Sequence, residues 1–369
     1  MDKKLMKISS ILVALIMVAG VIAGCSPATS TTTTTTLSTT EPTARTITDL
    51  LGNTVTIPIA SKIQRAAVLH TPVVQDIYIV GAQDKLCALA PQAQKWWLLQ
   101  KMDPRVASLP APRAYPGNIN MEELLKSNPD ICIGMNSDAA TIAKGSTIPT
   151  LQIAPPRTGT YLKYQEDEVR LFGKVFGKEA NAEKYCKYLE DEFAMIKTAT
   201  AAIPQDKKIK VLCALTSTSQ SRPLLVYGGD SYMQEWIELA GCVNVSKDVT
   251  NPASPDSMTE LTMEKMMAYN PEIILIDTGT PAALTGDPIW AQMPAVKAGK
   301  VYRIPAGMFI WNRPCSEGAA QFPEWLALTA YPNLFPNLTM QTEVKRFFKE
   351  IFNYTLSDDD ANLVLHPPQ

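Results

Sequence analysis

Hydrophobic and polar positions divide the chain into three unlike stretches. Residues 11–21 are an almost unbroken apolar run, residues 26–42 carry almost no apolar side chains, and from about residue 45 short apolar runs alternate with segments of helical spacing. Residues 46–58 read as a β-hairpin turned at Gly52-Asn53, because β-branched residues flank a turn-forming pair. Residues 66–69 form an apolar strand ending at His70, residues 73–80 a helix closed by Gly81, and residues 85–89 a second strand. Strand-like runs at 131–134, 148–153, 208–215, 273–277 and 300–305 follow, and helical spacing recurs at 232–240, 322–330 and 341–352. Strands alternating with short helices predict an α/β fold with parallel sheets covered by helices on both faces. Between these two sets, Val169, Phe172, Val175 and Phe176, then Ala182, Tyr185, Leu189, Phe193, Ile196 and Ala199, trace one helical stripe with a break at Gly177. A helix over 179–199 would span about 30 Å at 1.5 Å per residue.

One sentence of sequence occurs twice. Residues 121–133 read M-E-E-L-L-K-S-N-P-D-I-C-I, and residues 263–275, offset by 142, read M-E-K-M-M-A-Y-N-P-E-I-I-L. Each copy is a short helix with a paired apolar step, stopped at Asn-Pro because proline disfavours helical geometry in the residue before it. An apolar run suited to a buried parallel strand comes next. The same α/β unit in two equivalent places predicts two similar lobes, with a cleft between them and the helical stripe as connector.

The N-terminus bears on the compartment. Lys3, Lys4 and Lys7 precede the apolar run, which ends Ile22-Ala23-Gly24-Cys25. Positive charge, an apolar core and small residues describe a secretory signal peptide over residues 1–24. A cysteine directly after Ala-Gly resembles the lipobox of prokaryotic lipoproteins, which implies cleavage before Cys25 and its lipidation. The alternative is an uncleaved anchor with an incidental cysteine, although the run is at the short end for a span of roughly 20 residues. Either way the rest of the chain lies outside the cytoplasm. The threonine-rich segment 25–44 has nothing to bury and is expected to be a tether.

Composition narrows the function. A net charge of −2 and a pI near 5.9 give no basic stripe for nucleic acid. Seven cysteines without a C-x-x-C spacing support neither a zinc site nor a redox motif. Cys132 and Cys213 fall inside apolar runs and read as buried thiols. Only His70 and His366 are present, so a histidine cluster for bare Zn²⁺ or Mn²⁺ is excluded. The folded part has no G-x-S-x-G elbow, glycine-rich phosphate loop or H-E-x-x-H, so nothing marks an enzyme. A surface scaffold would account for a tether but not for matched lobes around a cleft.

Four motifs in order resemble the periplasmic binding proteins that serve iron-siderophore, haem and cobalamin ABC importers. They are Asp49…Gly52…Val55…Ile57-Pro58, then Asn120…Glu122 with Asn128-Pro129-Asp130. Third comes Gly229…Ser231 through Leu239-Ala240-Gly241…Asn244. Last is Trp290 with Met293-Pro294-Ala295-Val296-Lys297…Gly299…Val301-Tyr302. The similarity spans about residues 45–365. It implies two Rossmann-like lobes joined by one long α-helix, with a ligand held between them and no catalysis. The boundaries expected are 45–162 for the first lobe, 163–202 for the connecting segment and 203–369 for the second lobe. The resemblance also implies a permease and its ATPase as partners, a monomer, and an acidic residue on each lobe that docks on permease arginines. Glu122 and Glu264, equivalent in the repeat, match that pair.

Ligands of open α/β sheets meet the loops beyond the carboxyl ends of the strands. Those loops offer Trp96, Trp97, Tyr115, Tyr227, Phe309 and Trp311 as flat apolar walls. They also offer Arg157, Arg222 and Arg313 as forks for carboxylate or catecholate oxygens. His70 with a soft partner such as Met135 or Met308 could ligate haem. The expected cargo is an iron(III)-siderophore-type chelate, with a corrinoid or haem as alternatives.

Overall fold

The computed structural model describes residues 43–115, 117–153, 161–215, 224–250 and 258–367. Cys25 with the leader and tether, Arg157, Arg222 and the side chain of Tyr115 lie outside the described residues. The predicted hairpin is present: β1 (Ala44–Thr48) pairs antiparallel with β2 (Thr54–Pro58). The Asp49 carboxylate clamps its turn by accepting from the N–H groups of Leu51 (3.0 Å) and Asn53 (2.8 Å).

The first lobe runs β3 (Ala66–Val68), α1 (Val74–Ile79), β4 (Leu86–Leu89), α2 (Trp97–Met102), β5 (Arg113–Tyr115), β6 (Asn118–Ile119), α3 (Met121–Lys126), β7 (Ile131–Gly134), α4 (Asn136–Gly145) and β8 (Thr150–Gln152). Its sheet has the order β4-β3-β7-β8 and is parallel throughout. β3, β4 and β7 are buried along their whole length. That explains why these strands read as continuous apolar runs rather than alternating ones. β5 and β6 form a separate antiparallel pair.

The helical stripe resolves into α5 (Tyr161–Phe176) and α6 (Glu179–Thr200), packed against each other. Gly177 separates them at a left-handed φ of 65°. The long span of the connector is thus the 22 residues of α6.

The second lobe contains β9 (Lys210–Leu215), β10 (Leu224–Val226), α7 (Tyr232–Leu239), β11 (Val243–Asn244), β12 (Thr259–Leu261), α8 (Met263–Tyr269), β13 (Ile273–Ile276), α9 (Pro281–Gly286), α10 (Pro294–Lys297) and β14 (Val301–Arg303). Strand order is β12-β10-β9-β13-β14, with β11 also pairing β9. The β9, β11, β13 and β14 pairings are parallel, but β10 runs antiparallel to both β9 and β12. Alternation alone predicts a parallel sheet here. Residues 216–223 are too few for the crossover of a dozen or more that a parallel return needs, so β10 has to come back antiparallel.

Three helices complete the chain: α11 (Ser316–Ala330), α12 (Met340–Ile351) and α13 (Asp358–Leu365). α11 starts at Ser316, ahead of the segment that helical spacing marks, and continues through Pro323. Proline removes one ladder bond and discourages a helix in sequence. Burial of nearly every residue of α11 outweighs that loss. α11 packs on α1, α5, α6 and α7, so it touches both lobes and the connector. The two copies of the repeat are equivalent in backbone too. α3 is capped by Asn120 accepting from Glu123 N, and α8 by Thr262 accepting from Lys265 N. Both helices close on a left-handed asparagine, Asn128 (φ 44°) and Asn270 (φ 46°). All six cysteines from Cys87 to Cys315 are buried free thiols.

Candidate ligand-binding cleft

In the first lobe, His70 follows β3 at the carboxyl end of the sheet and is half-buried. Its Nδ1 is shielded from solvent and has no hydrogen-bond partner among the described residues. Burial lowers its pKa to about 4; the charge of Arg113 acts in the same direction and Asp138 opposes it. The ring is therefore neutral at pH 7. Beside it lies an element that the sequence did not single out. Arg113 is buried, its Nε 3.1 Å from Asp138 Oδ1, and its Nη2 donates to the Met135 sulfur at 3.4 Å. Asp138 also accepts from Gly117 N (2.8 Å) and Met135 N (2.9 Å), so one carboxylate fixes the guanidinium and both loop ends. Met135, the soft partner expected for His70, thus has its sulfur engaged by Arg113. Trp96 and Trp97, at the start of α2, are half-buried.

The second lobe answers with the segment after β14. Phe309 is half-buried and meets Trp96 edge-to-face, with ring centroids 5.0 Å apart. This contact joins the two lobes. Arg313 reaches Asp277 Oδ2 at 2.9 Å and also donates to the Tyr227 hydroxyl. Tyr227 and Tyr232 both donate to the Asn312 carbonyl, at 2.9 and 2.7 Å. The amide of Asn312 and Asp277 Oδ1 are buried without partners among the described residues. Two expected wall residues are placed differently. Trp311 is fully buried with its indole N–H on Glu317 Oε1 at 2.9 Å, and Tyr227 is 1% exposed. Both brace the second lobe from inside, because the polar atom of each ring finds its partner there.

The lobes also meet through a buried polar seam. Gln75 Nε2 lies 3.3 Å from Glu317 Oε2, and Gln75 Oε1 accepts from Glu317 N at 2.8 Å. The Ser316 hydroxyl donates to Asp76 Oδ1 and accepts from Gln165 Nε2 at 2.8 Å. Burial raises Asp76 to about 7, with the Ser316 hydroxyl pulling the other way, and raises Glu168 well above the carboxylate range, helped by the charge of Asp76. Burial thus pushes both carboxyls of the Asp76–Glu168 pair toward the protonated form. A sequence offers no signal for such a seam, since its members are far apart in the chain.

On the outer surface, Glu122 of α3 and Glu264 of α8 are both exposed. Three residues on in each helix, Leu125 (47%) and Met267 (41%) are exposed apolar side chains at matching repeat positions. Among the described residues, no helix is long and apolar enough to cross a membrane.

The family model described as "Periplasmic binding protein" matches residues 67–307. The chain belongs to the periplasmic binding protein family. A curated relative, the molybdate-binding protein MolA of Haemophilus influenzae, is 24% identical over 342 residues, covering 86% of this chain and 93% of its own length. The iron(3+)-hydroxamate-binding protein FhuD of Bacillus subtilis is 24% identical over 214 residues, covering 55% of this chain and 64% of its own length. A periplasmic solute binding protein from Veillonella parvula superposes with a TM-score of 0.74 at 26% identity, covering 88% of this chain and 97% of its own. The two-lobed α/β reading of the sequence therefore holds. As a periplasmic binding protein, the chain is an extracytoplasmic substrate-binding component of an ABC importer and not an enzyme.

Proposed function

We propose that this periplasmic binding protein captures a compact anionic metal species between lobe 45–162 and lobe 203–369, and hands it to a permease driven by its ATPase. In this reading the chain is a monomer held at the membrane by lipidated Cys25 and the 25–44 tether. Glu122 and Glu264 dock on the permease.

The observation that carries the choice of cargo is the Trp96–Phe309 contact at 5.0 Å. In this reading the two touching rings close the mouth of the cleft, so the enclosed ligand is small. That suits a metal oxyanion of the kind for which the Haemophilus relative is named. Buried Arg113 and half-buried Arg313, each paired with an aspartate, bring guanidinium N–H donors from either side, while the Asn312 amide and His70 Nδ1, without partners among the described residues, supply polar atoms that a ligand can satisfy. A ferric siderophore-type chelate, expected from the sequence and the class for which the Bacillus relative is named, requires these rings to part. A corrinoid or haem requires more room still.

Thermal unfolding with molybdate, tungstate, a ferric hydroxamate, cobinamide and hemin tests the reading. A ligand at 100 times its Kd adds about 2.7 kcal/mol to stability. Molybdate or tungstate should raise Tm saturably. A shift with the ferric hydroxamate alone would move the cargo to chelates, and no shift with any of the five would overturn the reading.

A further inference from the structure

Glu317 occupies an unusual position. It is fully buried at the start of α11, and its carboxylate faces N–H donors on every side where the structure gives it a partner. Oε2 accepts from Met308 N at 2.8 Å, Phe309 N at 3.3 Å and Gln75 Nε2 at 3.3 Å. Oε1 accepts from Trp311 Nε1 at 2.9 Å. Gly307 completes the fit, because a Cβ there would overlap the same carboxylate. One acid therefore holds two consecutive amides and the indole of segment 307–311 together with α1 of the opposite lobe. Phe309, between those two anchors, is the ring that meets Trp96.

We infer that Glu317 is the positioning residue of the cleft, its carboxylate fixing segment 307–311 so that Phe309 closes on Trp96 over the bound ligand. This rests on the binding-protein reading above.

The chemistry follows from the donor set. Four N–H groups call for an acceptor with no proton of its own, which is the ionised carboxylate. A carboxylic acid or a primary amide would turn an O–H or N–H toward another donor and release at least one of the loop bonds. Burial raises Glu317 to about 7, and the Trp311, Met308 and Phe309 donors hold it from going higher. The other titratable groups nearby are acidic or neutral. Cys315 precedes it at the helix cap, Asp76 of α1 is reached through Ser316, and Glu168 of α5 lies beyond Asp76. Among the described residues no basic side chain bonds Glu317, so its proton is set near neutrality by burial against these donors.

Two measurements test this on the full-length protein and on Glu317→Gln and Gln75→Ala variants. The first is hydrogen exchange of the peptide spanning 305–313, read without ligand and corrected for intrinsic rates. Exchange at Met308 and Phe309 should be about tenfold faster in Glu317→Gln, the size of one lost charge-assisted bond. Wild-type protection should fall as pH drops from 8 to 6. The second is the Kd for molybdate, or for whichever of the five probes binds, between pH 5.5 and 8.5. Wild-type affinity should weaken toward acid, Glu317→Gln should be about tenfold weaker and flat with pH, and Gln75→Ala should weaken less while keeping the wild-type slope. Wild-type protection in Glu317→Gln, or an affinity in that variant that tracks pH as the wild type does, would overturn the inference. Should Glu317→Gln fail to fold, the wild-type pH dependence of exchange and the Gln75→Ala slope decide alone. Failure of every probe to bind would count against the cargo reading, since exchange is read without one.

Discussion

Single side chains carry the sharpest consequences. Arg113 and Asp138 are a buried pair with 9% and 0% of their side chains exposed. Arg113→Met should leave Asp138 with two backbone N–H bonds and no counter-charge, a loss of about 3–5 kcal/mol on breaking a buried pair. Urea unfolding would show it as a lower midpoint at unchanged slope. Gly307→Ala should destabilise through collision with a carboxylate that four donors hold in place, and should perturb ligand affinity along with stability. These residues also mark where sequence stopped informing. Trp96 and Phe309 were legible as candidate wall residues because each follows a strand-like run, and the structure brings their rings together. Arg113 was not legible, since one arginine in a three-residue strand looks like any surface cation until Asp138 is known to face it. Glu317 was hidden likewise, since a glutamate near a helix start ordinarily faces solvent. Trp311 and Tyr227 misled because a large ring beside a cleft and a large ring behind its wall have the same sequence context.

Elements were legible where local rules decided them. The repeated helix-stop-strand unit was readable because Asn-Pro terminates a helix by local sterics, and both copies end on a left-handed asparagine. Asn270→Ala should cost about 1 kcal/mol and Asn270→Gly close to nothing, because only glycine and asparagine tolerate that backbone cheaply. Thermal melts of the two variants would separate them, and the same pair at Asn128 should behave alike. α11 shows the opposite case, with burial carrying a helix through a proline that local rules treat as a stop. The second sheet needed a loop length rather than a pattern to reveal its antiparallel strand. At this scale the docking proposal is also tested. Glu122→Lys with Glu264→Lys should abolish uptake and leave Kd unchanged, each single variant falling between. Normal uptake by the double variant would sink the proposal.

Across the whole molecule, buried acids dominate the response to pH. Asp76 and Glu317 rise to about 7, and Glu168, Glu192 and Glu324 also rise, each chiefly through burial. A carboxyl whose folded pKa is raised binds more protons folded than unfolded between the ordinary carboxylate range and its folded value. Stability should therefore fall as pH rises from about 4 to about 7. His70, lowered to about 4, acts oppositely: the stability it contributes is lost as pH falls from about 6.5 to about 4. The raised acids, Glu235 included, outnumber the one histidine and leave a net decline toward neutral pH, measurable as Tm across that window. The lowered Asp103, Glu183, Asp248 and Asp360 act oppositely only at its acid end. Segment 307–311 should tighten over the upper part of the same window, as Glu317 ionises. Global stability and local order at the mouth should therefore move in opposite directions.

The touching rings of Trp96 and Phe309 also bear on waiting times. An edge-to-face pair adds about 0.5–1.5 kcal/mol beyond the area it buries, and 1.4 kcal/mol is a factor of ten. That term comes on top of the buried area and of the Gln75–Glu317 and Asp76–Ser316 bonds between the lobes, so the parted form is the minor one. A solute arriving from outside would have to wait for the rings to part, so entry is limited by how often they do. Its escape, once polar groups have closed around it, would be the slow event, and the permease would have to overcome that.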